Sequence, residues 1–286
     1  MDVIIVCHTE FGFVADKNVI FDKKATAGVA DGVLNLAAVA KKYGAKVSFA
    51  VCPEVVDYFP KQVEGEIGLH VHPGWQELQM HGHAFMVGDA YLKEHCRQSS
   101  TSTFLHDFSF EEQLGMISVG KKYVAEKLGI EPKFFVAGRW SYNEDTIKAL
   151  QQSGFTHDCS ASAQSPMLPV FSKTIVSLPT SRYFPNSDVN PENIPRAGLA
   201  WLKAAFTEHY QQGVPVFHIC LHSPCMTDQY FISHMDAFLA FIAGHNNINF
   251  TFVSEITETP AVKTKITIWP YLFAINKNML RTFFTK

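Results

Sequence analysis

Residues 134–160 decide the fold. The chain reads FFVAGRWSYN from Phe134 to Asn143 and ALQQSGFTHDCS from Ala149 to Ser160. Phe134 to Ala137 is a short apolar run typical of a buried strand, and Phe155 to Cys159 is predicted as a further strand. Asn143 to Ser153 between them is typical of a helix, because Glu144 and Asp145 favour its first turn and Gly154 ends it. This order predicts a βαβ unit with parallel strands.

The same alternation extends in both directions along the chain. The best-defined helix is Ser109 to Gly129, because Ser109 and Glu112 form a capping box and Gly129 supplies a stop. Further helices are predicted over 25–43, 197–211 and 228–243, and further strands over 3–7, 46–51, 66–72, 174–178, 214–221 and 249–252. About seven or eight strands separated mostly by helices predict an α/β fold with one barrel-like domain.

Composition limits the kinds of partner. The chain has 286 residues, 47 % hydrophobic content and a formal charge of -3, so it lacks the basic surface of a nucleic-acid binder, and a small molecule or a glycan is the expected partner. Met1 to Val6 reads as a strand and not as a signal peptide, and no apolar run approaches the roughly 20 residues of a membrane span. Six cysteines without a CxxC pair suit reduced thiols, which favours a cytoplasmic protein.

The segment EIGLHVHP, residues 66–73, is the most informative for chemistry. His70 and His72 are two apart on a predicted strand, so both project to one side and could bind one metal ion. Glu10, at the end of the first strand, would complete the three N/O ligands typical of catalytic zinc. The alternative is that the two histidines only make hydrogen bonds at the rim.

Together with residues 109–160 and the later segment ICLHSP, residues 219–224, this pattern resembles the polysaccharide deacetylases of the NodB-homology type, carbohydrate esterase family 4. The resemblance covers roughly residues 2 to 255 and is strongest to members associated with bacterial surface-polysaccharide and O-antigen biosynthesis. It implies a distorted (β/α)7-type barrel, a divalent metal that is usually Zn²⁺, and removal of an acetyl group from a sugar. By position, it implies Glu10 and His70 as metal ligands and His222 as the general acid.

Three positions depart from the family pattern. The second metal histidine has no counterpart at position 74, so it must be His72, which we choose, or one of His81 and His83. His8 stands where the family has its base aspartate, and Val136 stands where the family has the arginine that pairs with that aspartate. His8 is therefore predicted as general base, with a ligand role or a non-catalytic rim role as alternatives.

Other side chains are candidates for contacts to the substrate. Arg139 and Trp140 follow a strand and could bind and stack on a sugar, or they could only fix the loop and cover the helix end. Residues 73–108 form a long loop-like stretch that reads as a lid or as a solvated insertion, and Trp75 in it is predicted to contact substrate. Asp158 could orient an imidazole or only cap its own loop.

One barrel domain is predicted over 1–258, followed by a basic aromatic tail over 259–286. The tail has five Lys or Arg residues and no acid among its aromatic side chains. It could contact an anionic membrane surface or pack back onto the barrel. Its sequence does not predict an oligomeric state.

The leading hypothesis is a cytoplasmic, metal-dependent deacetylase of an N-acetylated amino sugar in O-antigen biosynthesis, placed at the inner membrane if the tail binds lipid. One alternative is a catalytically impaired, glycan-binding relative with the same fold. The other is an amidohydrolase that acts on amides outside sugars.

Overall fold

The computed structural model describes residues 1–74, 76–80, 82–163, 174–260 and 265–272. The strands are β1 (Asp2–Thr9), β2 (Phe13–Ala15), β3 (Asn18–Ile20), β4 (Ser48–Val51), β5 (Glu66–Val71), β6 (Gln76–Met80), β7 (His83–Val87), β8 (Phe134–Ala137), β9 (His157–Asp158), β10 (Val176–Ser177), β11 (Arg182–Tyr183), β12 (Ser187–Asp188), β13 (Val216–His222) and β14 (Asn249–Phe250). The α-helices are α1 (Ala27–Lys41), α2 (Ala90–His95), α3 (Phe110–Leu128), α4 (Glu144–Gln152), α5 (Ile194–Ala197), α6 (Leu199–Gln211), α7 (Gln229–Ala243) and α8 (Trp269–Leu272).

A curled parallel sheet forms the centre of the described chain. Its strands lie in the order β10-β9-β8-β5-β4-β1-β13, and β14 pairs with the first residues of β1. Seven parallel strands with helices packed outside them confirm the predicted α/β fold of the distorted (β/α)7 type. The strands read as continuous apolar runs because both of their faces are buried.

The inner face of the curled sheet has its own small core. Ile4, Val6, Phe134 and Val136 pack there, while their neighbours in sequence face the surrounding helices. The Phe134 ring lies so close to Gly68 of β5 that a Cβ on Gly68 would come within 2.5 Å of it. Aromatic filling of the interior therefore requires a glycine at this position of β5.

The sheet closes between its two outermost strands, β10 and β13, without regular strand pairing. Ser181 N–H donates to the carbonyl oxygen of His218 at 3.1 Å, and Cys220 N–H donates to that of Val189 at 3.2 Å. Two further hydrogen bonds join His218 to the same segment. The backbone N–H of His218 donates to the Ser181 hydroxyl, and its ring Nδ1–H donates to the carbonyl oxygen of Leu178. The connection over 178–189 therefore takes the place of a regular strand on this side of the barrel. We call it the closing segment.

Helix α3 confirms the predicted capping box. The Ser109 side chain accepts from the backbone N–H of Glu112, and the Glu112 carboxylate accepts from Ser109 N–H at 3.1 Å. Gly129 ends the helix in the left-handed conformation, with φ 68°. The helix therefore begins and ends where its sequence predicts.

Short antiparallel hairpins lie outside the barrel, and the sequence analysis did not anticipate them. β2 and β3 are joined through Asp16 and Lys17, which both have positive φ, as a two-residue hairpin turn requires. The stretch 73–108, expected to be loop-like, contains the β6–β7 hairpin and helix α2. The expectation was wrong there because β6, with the sequence QELQM, lacks the apolar run typical of a strand, although Gly82 and the helix-capping Asp89 are turn signals of the usual kind.

The described part of the tail packs against helix α6. The Glu208 carboxylate accepts hydrogen bonds from Thr267 N–H at 2.7 Å and from the Tyr271 hydroxyl at 3.1 Å. The Tyr271 ring is fully buried against Trp201, whereas Trp269 is 69 % exposed. Within the described residues no helix combines the length and apolar character needed to cross a bilayer.

Candidate metal centre

Polar side chains gather where the strands of the inner face end. Glu10 follows β1, His70 and His72 lie at the end of β5, and His222 is the last residue of β13. Parallel strands place their carboxyl ends at one edge, which is where ligands bind in folds of this kind. His8 pairs in register with His222, so their rings meet on the same face.

Three of these side chains bring their donor atoms together. Glu10 Oε1 lies 3.0 Å from His70 Nε2 and 3.2 Å from His72 Nε2, and the two imidazole nitrogens are 3.1 Å apart. Zinc ligands at about 2.0–2.1 Å in a tetrahedral arrangement would be separated by roughly 3.3 Å. The spacing of the three donors therefore fits a shared divalent cation.

The protonation of His70 supports this fit. His70 Nδ1 lies 2.9 Å from the carbonyl oxygen of Val136, which can only accept, so Nδ1 carries the hydrogen and Nε2 presents a lone pair. Burial lowers the pKa of His70 and favours its neutral form. Burial alone would raise the pKa of Glu10, but His72 and His70 hold it well below its ordinary value. A lone pair and a carboxylate therefore face each other, an arrangement that a cation between them would stabilise.

Cys52 also lies in this cluster, although the sequence analysis treated the cysteines as packing residues. It follows β4, is 5 % exposed, and offers its sulfur within 4.8 Å of the donor atoms of Glu10, His70 and His72. Burial raises the pKa of its thiol well above the ordinary value, so the sulfur is protonated when no cation is present.

His222 is held by a carboxylate that the sequence analysis missed. Glu192 accepts a hydrogen bond from the backbone N–H of His222 at 2.6 Å and another from its Nδ1–H at 3.0 Å. Burial lowers the pKa of His222, but the Glu192 charge and hydrogen bond outweigh this and raise it to about 9. His222 Nε2 lies 3.7 Å from Glu10 Oε1, beside the metal-ligand cluster.

His8 lies beneath these groups and not on an exposed rim. It is 3 % exposed, and its Nδ1 is 3.4 Å from His222 Nε2. Its ring also packs against those of His70 and Trp140, with centroids 4.7 and 5.1 Å away. Burial and the neighbouring imidazoles lower the pKa of His8 well below its ordinary value, so its ring is neutral near pH 7.

Arg139 and Trp140 both adopt left-handed backbone conformations, with φ 54° and 55°. A non-glycine residue in the left-handed backbone region is strained by about 1–3 kcal/mol, and such strain concentrates at functional sites. The turn brings Trp140 against His8. It also directs the Arg139 guanidinium to the Thr103 hydroxyl, at 3.0 Å, and over the Phe104 ring.

The other predicted site residues do not join the described cluster. Trp75 and His81 lie outside the described residues, as does the side chain of His83. Asp158 follows the capping alternative, since its carboxylate accepts from the backbone N–H and the hydroxyl of Ser160. Among its described partners there is no imidazole.

Comparison with solved structures shows that this fold is similar to that of polysaccharide deacetylases. A protein assigned as a polysaccharide deacetylase from Mycobacterium smegmatis has 14 % identity and a TM-score of 0.57, over 91 % of this chain and 95 % of that one. Puue allantoinase has 15 % identity and a TM-score of 0.58, over 89 % and 88 %. A mutant CE4 family pseudoenzyme with restored enzymatic activity has 9 % identity and a TM-score of 0.50, over 88 % and 66 %.

No protein-family model and no curated protein matches the chain. At these identities the structural likeness establishes the fold, which is the one that the sequence resemblance implied. Activity and substrate must be argued from the side chains of the site itself.

Proposed function

We propose that this protein is a metal-dependent hydrolase that removes the acetyl group from an N-acetylated amino sugar. Glu10, His70 and His72 would hold the cation, most simply Zn²⁺, because two imidazoles and a carboxylate leave a position open for water and substrate. When bound, the cation supplies a Lewis acid for the amide carbonyl and lowers the pKa of water.

One observation carries this proposal. His70 Nδ1 is committed to the Val136 carbonyl oxygen at 2.9 Å, so its Nε2 lone pair is directed at Glu10 Oε1 only 3.0 Å away. Bonding of the second ring nitrogen to a backbone carbonyl is the usual support for a histidine that binds metal through the other nitrogen. A purely structural pair would place a hydrogen between the two atoms.

His222 is the proposed general acid. Its Nε2 faces the cluster while Glu192 holds its Nδ1–H, which fixes the ring and favours the protonated imidazolium. The ring can therefore deliver a proton from Nε2 to the nitrogen that leaves as an amine. Such proton transfer typically contributes about 10²–10⁴-fold to the rate.

His8 is the proposed general base. Its Nδ1 belongs to a second group of donor atoms, with Glu10 and His222, that all lie within 4.8 Å of one another. Being neutral, His8 can accept a proton from the attacking water without the arginine that a base aspartate would need.

Substrate contacts are proposed for Arg139, Trp140 and Trp75. Trp140 offers an aromatic surface next to His8, and Arg139 carries hydrogen-bond donors on the adjoining turn. Sugars bind through such combinations of stacking and hydrogen bonding. We further propose a role in O-antigen or other surface-polysaccharide biosynthesis in the cytoplasm. The barrel over 1–258 would carry the reaction. The tail over 259–286 packs against α6 through Thr267 and Tyr271, so a contact with the inner membrane would be made by its other residues.

The decisive experiment measures metal content and acetate release on the same zinc-loaded protein with a panel of N-acetylated sugars, free, nucleotide-linked and lipid-linked. We expect one zinc per chain and acetate from at least one sugar. Zinc binding with no acetate from any sugar would overturn the proposed reaction and favour the impaired, glycan-binding alternative. Absence of zinc binding would overturn the metal site as well.

A second candidate function keeps the site and changes the substrate. An allantoinase is among the solved proteins of this fold. The TM-score between this chain and the allantoinase, 0.58, is comparable to the value of 0.57 for the deacetylase from Mycobacterium smegmatis. The same cation and acid could hydrolyse a cyclic or linear amide outside sugars. Turnover of ureides or formamides, with all acetylated sugars inert, would select this candidate.

A further inference from the structure

Strand β4 lies between the two strands that carry the metal-ligand cluster. In the parallel register Thr9 of β1 faces Val51, and Val51 faces Leu69 of β5. One residue further along each strand, Cys52 therefore lies between Glu10 and His70. Adjacent strands are about 4.8 Å apart, so side chains at one level of the sheet are neighbours.

Alternation along β4 directs the Cys52 sulfur towards the cluster, while the rest of the side chain also packs with the helix-facing apolar core. Ala50 packs in the interior core, and the backbone of Cys52 stays extended, with φ −70° and ψ 140°. The Cys52 N–H donates to the carbonyl oxygen of Thr9 at 3.5 Å, which extends the β1–β4 ladder to this level. The backbone therefore presents the sulfur at the level of Glu10 and His70, in agreement with the close grouping of the four donor atoms.

We propose that the Cys52 thiolate is a fourth protein ligand of the cation held by Glu10, His70 and His72. The proposal shares the cation with the proposed function but does not require deacetylation. On binding, the thiol proton is released to solvent, as for other thiolate ligands. Zinc can expand from four to five ligands, so a substrate oxygen still has access.

A thiolate changes which metals the site prefers. Sulfur is a soft ligand that suits Zn²⁺ and related ions, whereas Mg²⁺ and Mn²⁺ prefer sites made of oxygen. With Cys52 bound, the site should discriminate strongly for zinc. It should also lose affinity when the thiol is oxidised.

The test uses the full chain loaded with cobalt(II) chloride, since a thiolate bound to Co²⁺ gives a near-ultraviolet charge-transfer band that nitrogen and oxygen ligands do not. We expect the band in the wild-type protein and in Cys96→Ser, which alters a cysteine outside the cluster. Cys52→Ser and Cys52→Ala should lose the band. Competition with a chelator should show at least about a tenfold loss of zinc affinity in both, given that even supporting groups contribute 10–100-fold.

The outcomes separate this proposal from the proposed function. Cobalt bound without the band, or a band that persists in Cys52→Ser, overturns the thiolate ligand and leaves deacetylation standing. A band present in a protein that releases no acetate supports the ligand and overturns the deacetylase. Far-ultraviolet circular dichroism checks that the variants fold. Among the described residues Cys52 is the only thiol in the donor groups, so the wild-type spectrum supports or overturns the ligand even if the variants do not fold.

Discussion

Histidines at the two ends of the barrel's inner face have different kinds of partner. Near the amino ends of the strands, His157 Nε2 lies 2.8 Å from the Ile256 carbonyl oxygen, and His218 Nδ1 lies 3.0 Å from that of Leu178. At the carboxyl ends, His70 and His72 direct nitrogens at each other and at Glu10. Only at the carboxyl ends do lone pairs of imidazole nitrogens face other acceptor atoms.

The difference shows how a structural histidine can be told from a candidate ligand. A carbonyl oxygen satisfies an imidazole N–H, so each histidine at the amino end stabilises the interior core by an ordinary hydrogen bond. Lone pairs that converge on a carboxylate raise the energy of the site until a cation is bound. The following variants compare the two ends, beginning with the largest effect.

Glu10→Gln should have the largest effect. It removes the negative charge of the cluster, so zinc affinity should fall by more than about 100-fold, above the loss caused by supporting groups. Turnover at ordinary zinc concentrations should disappear with it. Zinc competition with a chelator measures the change, and His218→Gln, at the other end, should bind zinc like the wild-type protein. Unchanged affinity in Glu10→Gln would mean that the carboxylate is not a ligand.

His222→Ala should lower kcat by about 10²–10⁴-fold, the usual contribution of a general acid. Bound zinc should remain at one ion per chain, because the proposed ligands are Glu10, His70 and His72. Acetate release and metal analysis on the same sample check both statements. If the variant loses its zinc, His222 is itself a ligand and the acid must be found elsewhere.

His8→Ala should lower kcat by about 10²-fold, at the lower end of the range for a general base, because its depressed pKa makes His8 a weak base. His8→Gln keeps a buried polar side chain of similar size and serves as the matched control for packing. Acetate release within a few-fold of the wild-type rate in both variants would exclude base catalysis by His8.

His218→Gln should affect stability and not the metal site. Burial lowers the pKa of His218 to about 4, against an ordinary value of 6.5, so between these pH values the unfolded chain binds a proton that the folded chain does not. The free energy of unfolding should therefore fall as pH drops from 6.5 to 4, by up to about 3 kcal/mol from this group.

In His218→Gln that contribution is absent, so its stability should depend less steeply on pH in the same window. Urea unfolding at several pH values measures the slopes. His70 contributes equally to both proteins, whereas His218 also lowers the pKa of His8, so the difference reports His218 together with its smaller effect on His8. Parallel slopes would show that His218 takes up its proton over the same pH range in the folded and in the unfolded chain.

Much of the barrel could be predicted from sequence because each strand and each long helix carries its own local signal. Ser109 marks the beginning of helix α3 and Gly129 marks its end. Strands that are buried on both faces appear in the sequence as apolar runs. The β2–β3 hairpin could not be predicted in this way. Asp16 and Lys17 turn the chain with positive φ without the glycine that usually reports such a turn.

The candidate site could be predicted as far as it follows strand ends. Glu10, His70, His72 and His222 all end strands whose carboxyl ends meet, so their proximity follows from the parallel sheet. Cys52 follows a strand too, but the order of strands along the chain does not reveal that β4 lies between β1 and β5 in the sheet. Glu192 reaches His222 from a short 3₁₀ helix, Pro191–Asn193, which is too short to have a periodic signal.

The closing segment has a consequence for the proton donor. Val189, whose carbonyl oxygen is bonded to Cys220, lies three residues before Glu192, whose carboxylate is bonded to His222. Both residues therefore rest on the same stretch of β13, and a displacement of one carries the other. A molecule that separated the closing segment from β13 would therefore also move the Glu192 carboxylate away from His222. In this way the closure of the barrel is coupled to the acid strength of His222.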